Sequence, residues 1–198
     1  TINAIIHFRH LPGVSAERMR DEFIKSLHSS MKPEEFLNQF SSLGLMPRIF
    51  PNLALDFNFI TGIRNFCFVI AKLLGQNPLN KIVKVMREAT MSDSEMGTVQ
   101  FLIKLKDRFQ EFNKLVFDPV VDGKWFFNLI KERDLVLRRG KVNADEIMQW
   151  ALINKIDPRI MKAFLEFQAD VTAEDFPQIN PGPDLGLAIK KANAEKFL

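Results

Sequence analysis

The stretch from Ser92 to Phe112, SDSEMGTVQFLIKLKDRFQEF, decides the fold class. Ser92 and Glu95 stand three residues apart, so the hydroxyl can accept a first-turn N–H while the carboxylate reaches back to the Ser92 N–H. Behind this start, Val99, Leu102, Ile103, Phe109 and Phe112 recur at helical spacing, and the period-two alternation of a half-buried strand is absent. The stretch predicts a helix over 93–115.

Working outward, the same grammar repeats. Asn77-Pro78 and Asp157-Pro158 each set a capping side chain before a proline at the first helical position, where the missing N–H costs nothing. Asn143-Ala144-Asp145-Glu146 and Thr172-Ala173-Glu174-Asp175 are looser versions of the Ser92 start. Gly44, Gly75 and Gly140 follow periodic runs such as Phe23, Ile24, Leu27 and Met31, and can close helices in the left-handed conformation. Helices are expected at about 15–31, 33–43, 56–74, 78–91, 93–115, 122–138, 144–155, 158–169 and 183–197. The expected class is all-α: an elongated multi-helix body with a smaller C-terminal helical tail lobe. No fixed-period repeat is visible. The Pro/Gly-rich stretch 176–183 is the clearest linker, and Arg138-Arg139-Gly140-Lys141 is a softer break between a longer body and a smaller C-terminal lobe; the segments expected are 1–55, 56–140 and 141–198.

Composition narrows the class of protein. With 46% hydrophobic residues in 198, a substantial core can form, and 19 Phe with no Tyr means that nearly every aromatic ring lacks a polar edge and belongs inside. The single Cys67 lies in the apolar run 66–70, which excludes a disulfide framework and suits a buried thiol. No run is long enough to span a bilayer and the N-terminus lacks a secretory layout, so a soluble, cytoplasmic protein is expected. Twenty-seven Lys and Arg against 24 Asp and Glu give +3, a balance that suits a polyanion partner without proving one.

Catalytic patterns are missing. His7, His10 and His28 have no His-Asp pairing and no His-Glu-x-x-His helix, and phosphate-loop and nucleophile-elbow glycine patterns are absent. Asp93-Ser94-Glu95 has the spacing of a metal-holding pair, but acids also favour the first turn of a helix. No catalytic residue and no metal ligand is assigned. What remains is binding: Lys72, Lys81, Lys84 and Arg87, then Lys131, Arg133, Arg138, Arg139 and Lys141, are spread along helices where they can follow a phosphate backbone or simply face water. The segment Asn180-Pro181-Gly182-Pro183-Asp184-Leu185-Gly186 also has two readings. Its glycines can let an anion approach free N–H groups, with Lys190 and Lys191 following, or Gly186 can allow close helix packing.

Four stretches carry a resemblance. Val14-Ser15-Ala16-Glu17-Arg18-Met19-Arg20-Asp21-Glu22-Phe23, then Leu43 to Leu53, then Ile82-Val83-Lys84-Val85-Met86-Arg87 with the Ser92 to Glu95 start, and finally Pro181 to Gly186 occur in the order seen in class II tRNA nucleotidyltransferases. That family holds the CCA-adding enzymes and the bacterial poly(A) polymerases. The resemblance implies the neck, body and tail of such an enzyme, with Ser15, Glu17, Arg18 and Glu22 as a brace in the neck. With the basic residues read above, RNA contacts are expected at Lys81, Lys84, Arg87, Lys131, Arg133, Arg138, Arg139, Lys141, Gly182, Gly186, Lys190 and Lys191.

The family's catalytic head and nucleotide-selecting segment have no counterpart here, and residues 64–74 lack the His-Asp phosphohydrolase motif of many bacterial members. The expectation is therefore a chain that positions tRNA for CCA addition by a catalytic head, fused or separate, and is inactive alone. Magnesium and ATP or CTP belong to that head, and this chain binds no cofactor, membrane or DNA. The equivalent portion of a poly(A) polymerase and a helical protein-interaction scaffold are the alternatives.

Overall fold

The computed structural model describes residues 15–58, 64–112 and 119–197. Among them are ten α-helices and one 3-10 turn, and no strand, as the spacing predicts. The chain divides into two compact units, Thr1–Ile103 and Lys104–Leu198. The expected breaks at 55/56 and 140/141 fall inside these units. No helix among the described residues is long and apolar enough to cross a membrane.

The first unit holds α1 (Ala16–Ser29), α2 (Pro33–Ser42), α3 (Met46–Ile49), α4 (Phe66–Leu74), α5 (Leu79–Glu88) and the start of α6 (Asp93–Phe112). Ser15 caps α1 by accepting the Arg18 N–H at 3.2 Å. The face of α1 turned inward carries Arg20, Phe23, Ile24 and Leu27, at i, i+3, i+4 and i+7. Phe23 is the hub, with ring centroids of Phe36, Phe40 and Phe50 at 5.5, 5.2 and 5.3 Å. Met31 stays 70% exposed, because α1 ends at Ser29 before the periodic run can bring it round. Eight of the nine residues of α4 are buried, so this helix is apolar nearly all round and forms the middle of the core.

The expected helix over 56–74 begins ten residues later. Asn65 caps α4 by accepting from the N–H groups of Cys67 and Phe68, at 3.0 and 3.3 Å. Asp56 lies outside the helix and pairs with Lys72 at 2.7 Å, while its N–H donates to the Leu73 carbonyl at 3.0 Å. Asn77 is likewise not a cap: its amide accepts from the Ala54 N–H at 2.8 Å and donates to the Ala54 carbonyl at 2.6 Å, and α5 starts after Pro78.

The second unit continues α6 and adds α7 (Pro119–Arg139), α8 (Ala144–Ile153), α9 (Pro158–Glu166), a 3-10 turn (Ala173–Asp175) and α10 (Pro183–Phe197). Here α7 packs on α10, and α8 on α9. Phe126 gathers Phe164, Phe167 and Phe197 around it, and Trp150 is 1% exposed. Asn193, buried, ties the 167–172 stretch to α10 by accepting from the Val171 N–H and donating to the Val171 and Ile189 carbonyls. The Asn143 start is a full capping box, Asp157 accepts from the Arg159 N–H at 2.8 Å, and the Thr172 start opens only the 3-10 turn.

Two of the three glycine stops are left-handed, Gly44 at φ 66 and Gly140 at φ 64, whereas Gly75 sits at φ −66. The left-handed position is taken elsewhere by Thr90 at φ 55 and Lys155 at φ 58, which close α5 and α8. A six-to-one bond accompanies each, Met91 N–H to Met86 at 3.2 Å and Ile156 N–H to Ala151 at 2.9 Å.

The Asp56–Lys72 pair has a pH signature. Burial, the strongest single influence on the Asp56 carboxyl, pushes it up, but the hydrogen bonds from Lys72 and from the Asn58 N–H outweigh it, and the group titrates below its ordinary 3.8. Because the folded value is depressed, the stabilisation is complete above the unfolded value and is lost as pH falls through the folded one. Asp56→Asn should cost about 2 kcal/mol in urea unfolding at pH 7. That difference should shrink steadily once the pH drops below the ordinary carboxylate range; a gap that stays constant to pH 2.5 would contradict the pairing.

Candidate nucleic-acid interface

The cationic side chains expected to meet a phosphate backbone separate into distinct groups. On α5, Ile82, Val85 and Met86 are buried, which turns Asn80, Lys81, Lys84 and Arg87 outward. Lys81, Lys84 and Arg87 recur every third residue, about 4.5 Å apart along the axis. All three are exposed, and no carboxylate among the described residues pairs with any of them. The one acid of α5, Glu88, pairs with Arg20 at 2.8 Å and stays partly exposed. Beside the row, Leu79 and Val83 floor a shallow depression of about 510 Å³ that Asn80, Lys84, Arg87 and Glu88 border.

In the second unit, Lys131 and Arg138 share one face of α7, being seven residues apart, with the exposed Leu135 between them. The Lys131 ammonium lies 4.9 Å from the centre of the Phe127 ring, and the Arg138 Nε donates to the Asp134 carbonyl at 3.4 Å. Arg139 is exposed on a neighbouring face, and Lys141 is half-buried.

Arg133 does not belong to this surface. It sits about 200° round the helix from Lys131 and is 5% exposed. Its guanidinium donates to the Phe164 carbonyl and to Asp134, at 2.9 and 2.7 Å for the latter, and stacks on the Phe164 ring at 5.5 Å. The spacing of charges along the sequence gave no sign of this, since the apolar neighbours that swallow Arg133 come from α9.

Gly182 and Gly186 start α10, joined by a bond from the Gly186 N–H to the Gly182 carbonyl at 3.2 Å. A Cβ on either would meet nothing within 4 Å, so close helix packing is not what these glycines serve. Lys190 is half-buried, and Lys191 is exposed with Glu195 at 3.8 Å.

Of the four residues expected as a brace, Ser15 caps α1. Arg18 and Glu22 are both exposed, and neither pairs with the other; Glu22 has Lys25 at 3.4 Å. Glu17 falls on α1, but its side chain lies outside the described residues. The ties to α5 come instead from Arg20, which meets Glu88, and from Asp21, which accepts from the Thr90 hydroxyl at 2.6 Å and pairs with Lys25 at 2.6 Å. Hydrogen bonds from Lys25 and Thr90 hold the Asp21 carboxyl below its ordinary range. A signal was available: Arg20 interrupts the apolar register of α1, and a charge at such a position must find a partner. The exposed Arg18 and Glu22 flank a second depression, of about 250 Å³, with Met19, Phe23, Phe40, Leu45 and Ile49 as its walls.

Asp93 and Glu95 serve the start of α6. Glu95 accepts from the Ser92 N–H at 3.0 Å and hydroxyl at 2.7 Å, and its other oxygen lies 3.6 Å from exposed His28. His7 and His10 lie outside the described residues. Among those described, no group of three or more His, Cys, Asp or Glu is placed to hold a metal ion.

Residues 1–56 match the family model described as "Probable RNA and SrmB-binding site of polymerase A". This supports RNA binding and, at a coarse level, kinship with the poly(A) polymerases and CCA-adding enzymes. No curated protein and no solved structure matches the chain. The matched segment contains α1 to α3 and ends at Asp56, the residue held by Lys72.

The two kinds of arginine should behave differently. Arg133→Ala should cost about 3 kcal/mol in chemical unfolding, since it leaves the Phe164 carbonyl unsatisfied and opens a gap beneath its ring. Arg139→Ala should stay within about 0.5 kcal/mol. Equal costs for the two would contradict the division between core and surface.

Proposed function

We propose that this chain is the RNA-gripping portion of a tRNA nucleotidyltransferase, holding tRNA while a catalytic head elsewhere adds CCA to the 3′ end. The observation that carries the reading is the cation row of α5, held beside the segment that matches an RNA-binding family model. Cations at regular steps meet successive phosphates and fix the register of an RNA without reading its bases. A grip of this kind turns a loose encounter with the head into a positioned one. In the second unit, the α7 face with Lys131 and Arg138, and the open start of α10, are taken by themselves as further surfaces able to meet phosphate.

The absence of a stacking surface supports a folded substrate. Among the described residues no Phe or Trp is exposed, and recognition of single-stranded bases relies on aromatic platforms. A second reading, the equivalent portion of a poly(A) polymerase, is favoured by the wording of the matched description. The two differ in substrate: folded tRNA for the first, an unstructured or extended 3′ end for the second. In either, chemistry with magnesium and ATP or CTP belongs to the head, and this chain alone incorporates no nucleotide. The setting is cytoplasmic.

Anisotropy titrations with folded tRNA and with an A-rich oligomer test the reading. The chain should prefer tRNA at every salt concentration. Replacing Lys81, Lys84 and Arg87 together by Gln should lower affinity more than tenfold at low salt and reduce the slope of log affinity against log salt by about 3, near one unit for each phosphate no longer neutralised. A preference for the oligomer would favour the poly(A) reading, and an unchanged slope would remove α5 from the interface.

A further inference from the structure

We propose that Glu88 is the residue by which α5 tells RNA from DNA, accepting a ribose 2′-hydroxyl next to the phosphates that Lys81 and Lys84 meet. The inference rests on the functional reading above and adds to it a chemical group and the residue that recognises it. A carboxylate in a row of cations repels phosphate, so its place there calls for a second use. Glu88 lies one turn beyond Lys84 and two beyond Lys81, on the same side of α5. Its side chain is 37% exposed, and it borders the depression together with Lys84 and Arg87.

Only one of its oxygens is used. Oε2 meets the Arg20 guanidinium at 2.8 Å, whereas Oε1 has no partner among the described residues. Lys84 stands at the spacing where charges on a helix commonly pair, yet the two are not joined. Arg20 is 7% exposed and also reaches the Ile49 carbonyl at 3.4 Å, so it holds the carboxylate in place from within the core. Its charge offsets that of Glu88. What faces solvent is therefore a fixed acceptor of low net charge, which suits a neutral O–H donor. On a folded RNA stem the 2′-hydroxyls line the wide, shallow groove beside the backbone, and DNA has none. Lys81 and Lys84 are about 4.5 Å apart along the helix axis, and Glu88 lies about 6 Å further on, which sets it beside the sugar next to the phosphates they hold.

The test titrates the full chain with one stem-loop of fixed sequence, made as RNA and as 2′-fluoro RNA. The fluorinated form keeps the RNA sugar pucker and the charge but has no hydroxyl to donate. The wild-type chain should bind the RNA form about tenfold more tightly, the worth of one hydrogen bond to a carboxylate. Replacing Arg20 and Glu88 together by Met keeps the core filled and leaves no buried charge unpaired. That variant should bring the ratio to within about twofold, chiefly by tightening the 2′-fluoro complex, which no longer faces a carboxylate. Glu88→Gln, which keeps an acceptor for Arg20, should lower the ratio to about threefold and serves if the double variant fails to fold. Equal binding of the two forms by the wild-type chain, or a ratio that neither variant moves, would overturn the assignment. The Gln substitutions at Lys81, Lys84 and Arg87 should weaken both complexes alike. If they do so while the Glu88 variants leave the ratio unchanged, this inference fails and the RNA grip of α5 stands; if they weaken neither complex, the grip itself is refuted.

Discussion

Arg20 brings a charge into the core of the first unit, and the arrangement of the neighbouring helices follows from how that charge is met. The side chain is 7% exposed, at a position where helix periodicity calls for an apolar residue. Burying a guanidinium is costly unless an opposite charge and acceptors receive it. One nitrogen meets Glu88 at 2.8 Å and another the Ile49 carbonyl at 3.4 Å, while the Nε has no partner. This places the last turn of α5 beside α1 and leaves little freedom in its rotation. Thr90 adds a second tie: its left-handed backbone, at φ 55, costs on the order of 1 to 3 kcal/mol for a β-branched residue, but closes α5 so that the hydroxyl reaches Asp21.

With Glu88 engaged by Arg20, Lys81, Lys84 and Arg87 of α5 reach solvent without a carboxylate partner among the described residues. This is how a chain with a net charge of only +3 can present a local row of three unpaired cations. The acids elsewhere are largely occupied in caps and short-range pairs, as Glu95, Glu146, Asp157 and Asp175 are. Affinity for a polyanion depends on such local fields more than on the total charge. In the same unit Phe23 organises Phe36, Phe40 and Phe50, and among the described residues no aromatic ring of Phe or Trp is exposed.

Helix content and most helix starts were legible because they depend on residues close in sequence. The capping boxes at Ser92 and Asn143 and the Asp157 cap needed only neighbours three residues away. What escaped depends on partners far along the chain. Asn77 looked like a cap but spends its amide on Ala54, 23 residues earlier. Asp56 looked helical but serves Lys72 and Leu73. Thr90 and Lys155 fill left-handed positions for which sequence reasoning expects Gly or Asn, and Gly75 does not use its freedom. In the candidate site, the α5 row was readable from spacing alone. Ser15, Glu17, Arg18 and Glu22 were chosen by motif, whereas the ties from α1 to the end of α5 run through Arg20 and Asp21, whose partners Glu88 and Thr90 lie 68 and 69 residues further on. Arg133 could not be told from its basic neighbours without knowing that α9 covers it.

The central claim, that RNA lies along the outward face of α5, is tested most directly by footprinting. Lysines of the intact chain would be acetylated with and without saturating folded tRNA, and the modified sites mapped by mass spectrometry. The account predicts strong protection of Lys81 and Lys84, with Lys25 and Lys32 on α1 and its C-terminal loop unchanged. Protection absent from α5 and confined to α1 would contradict it.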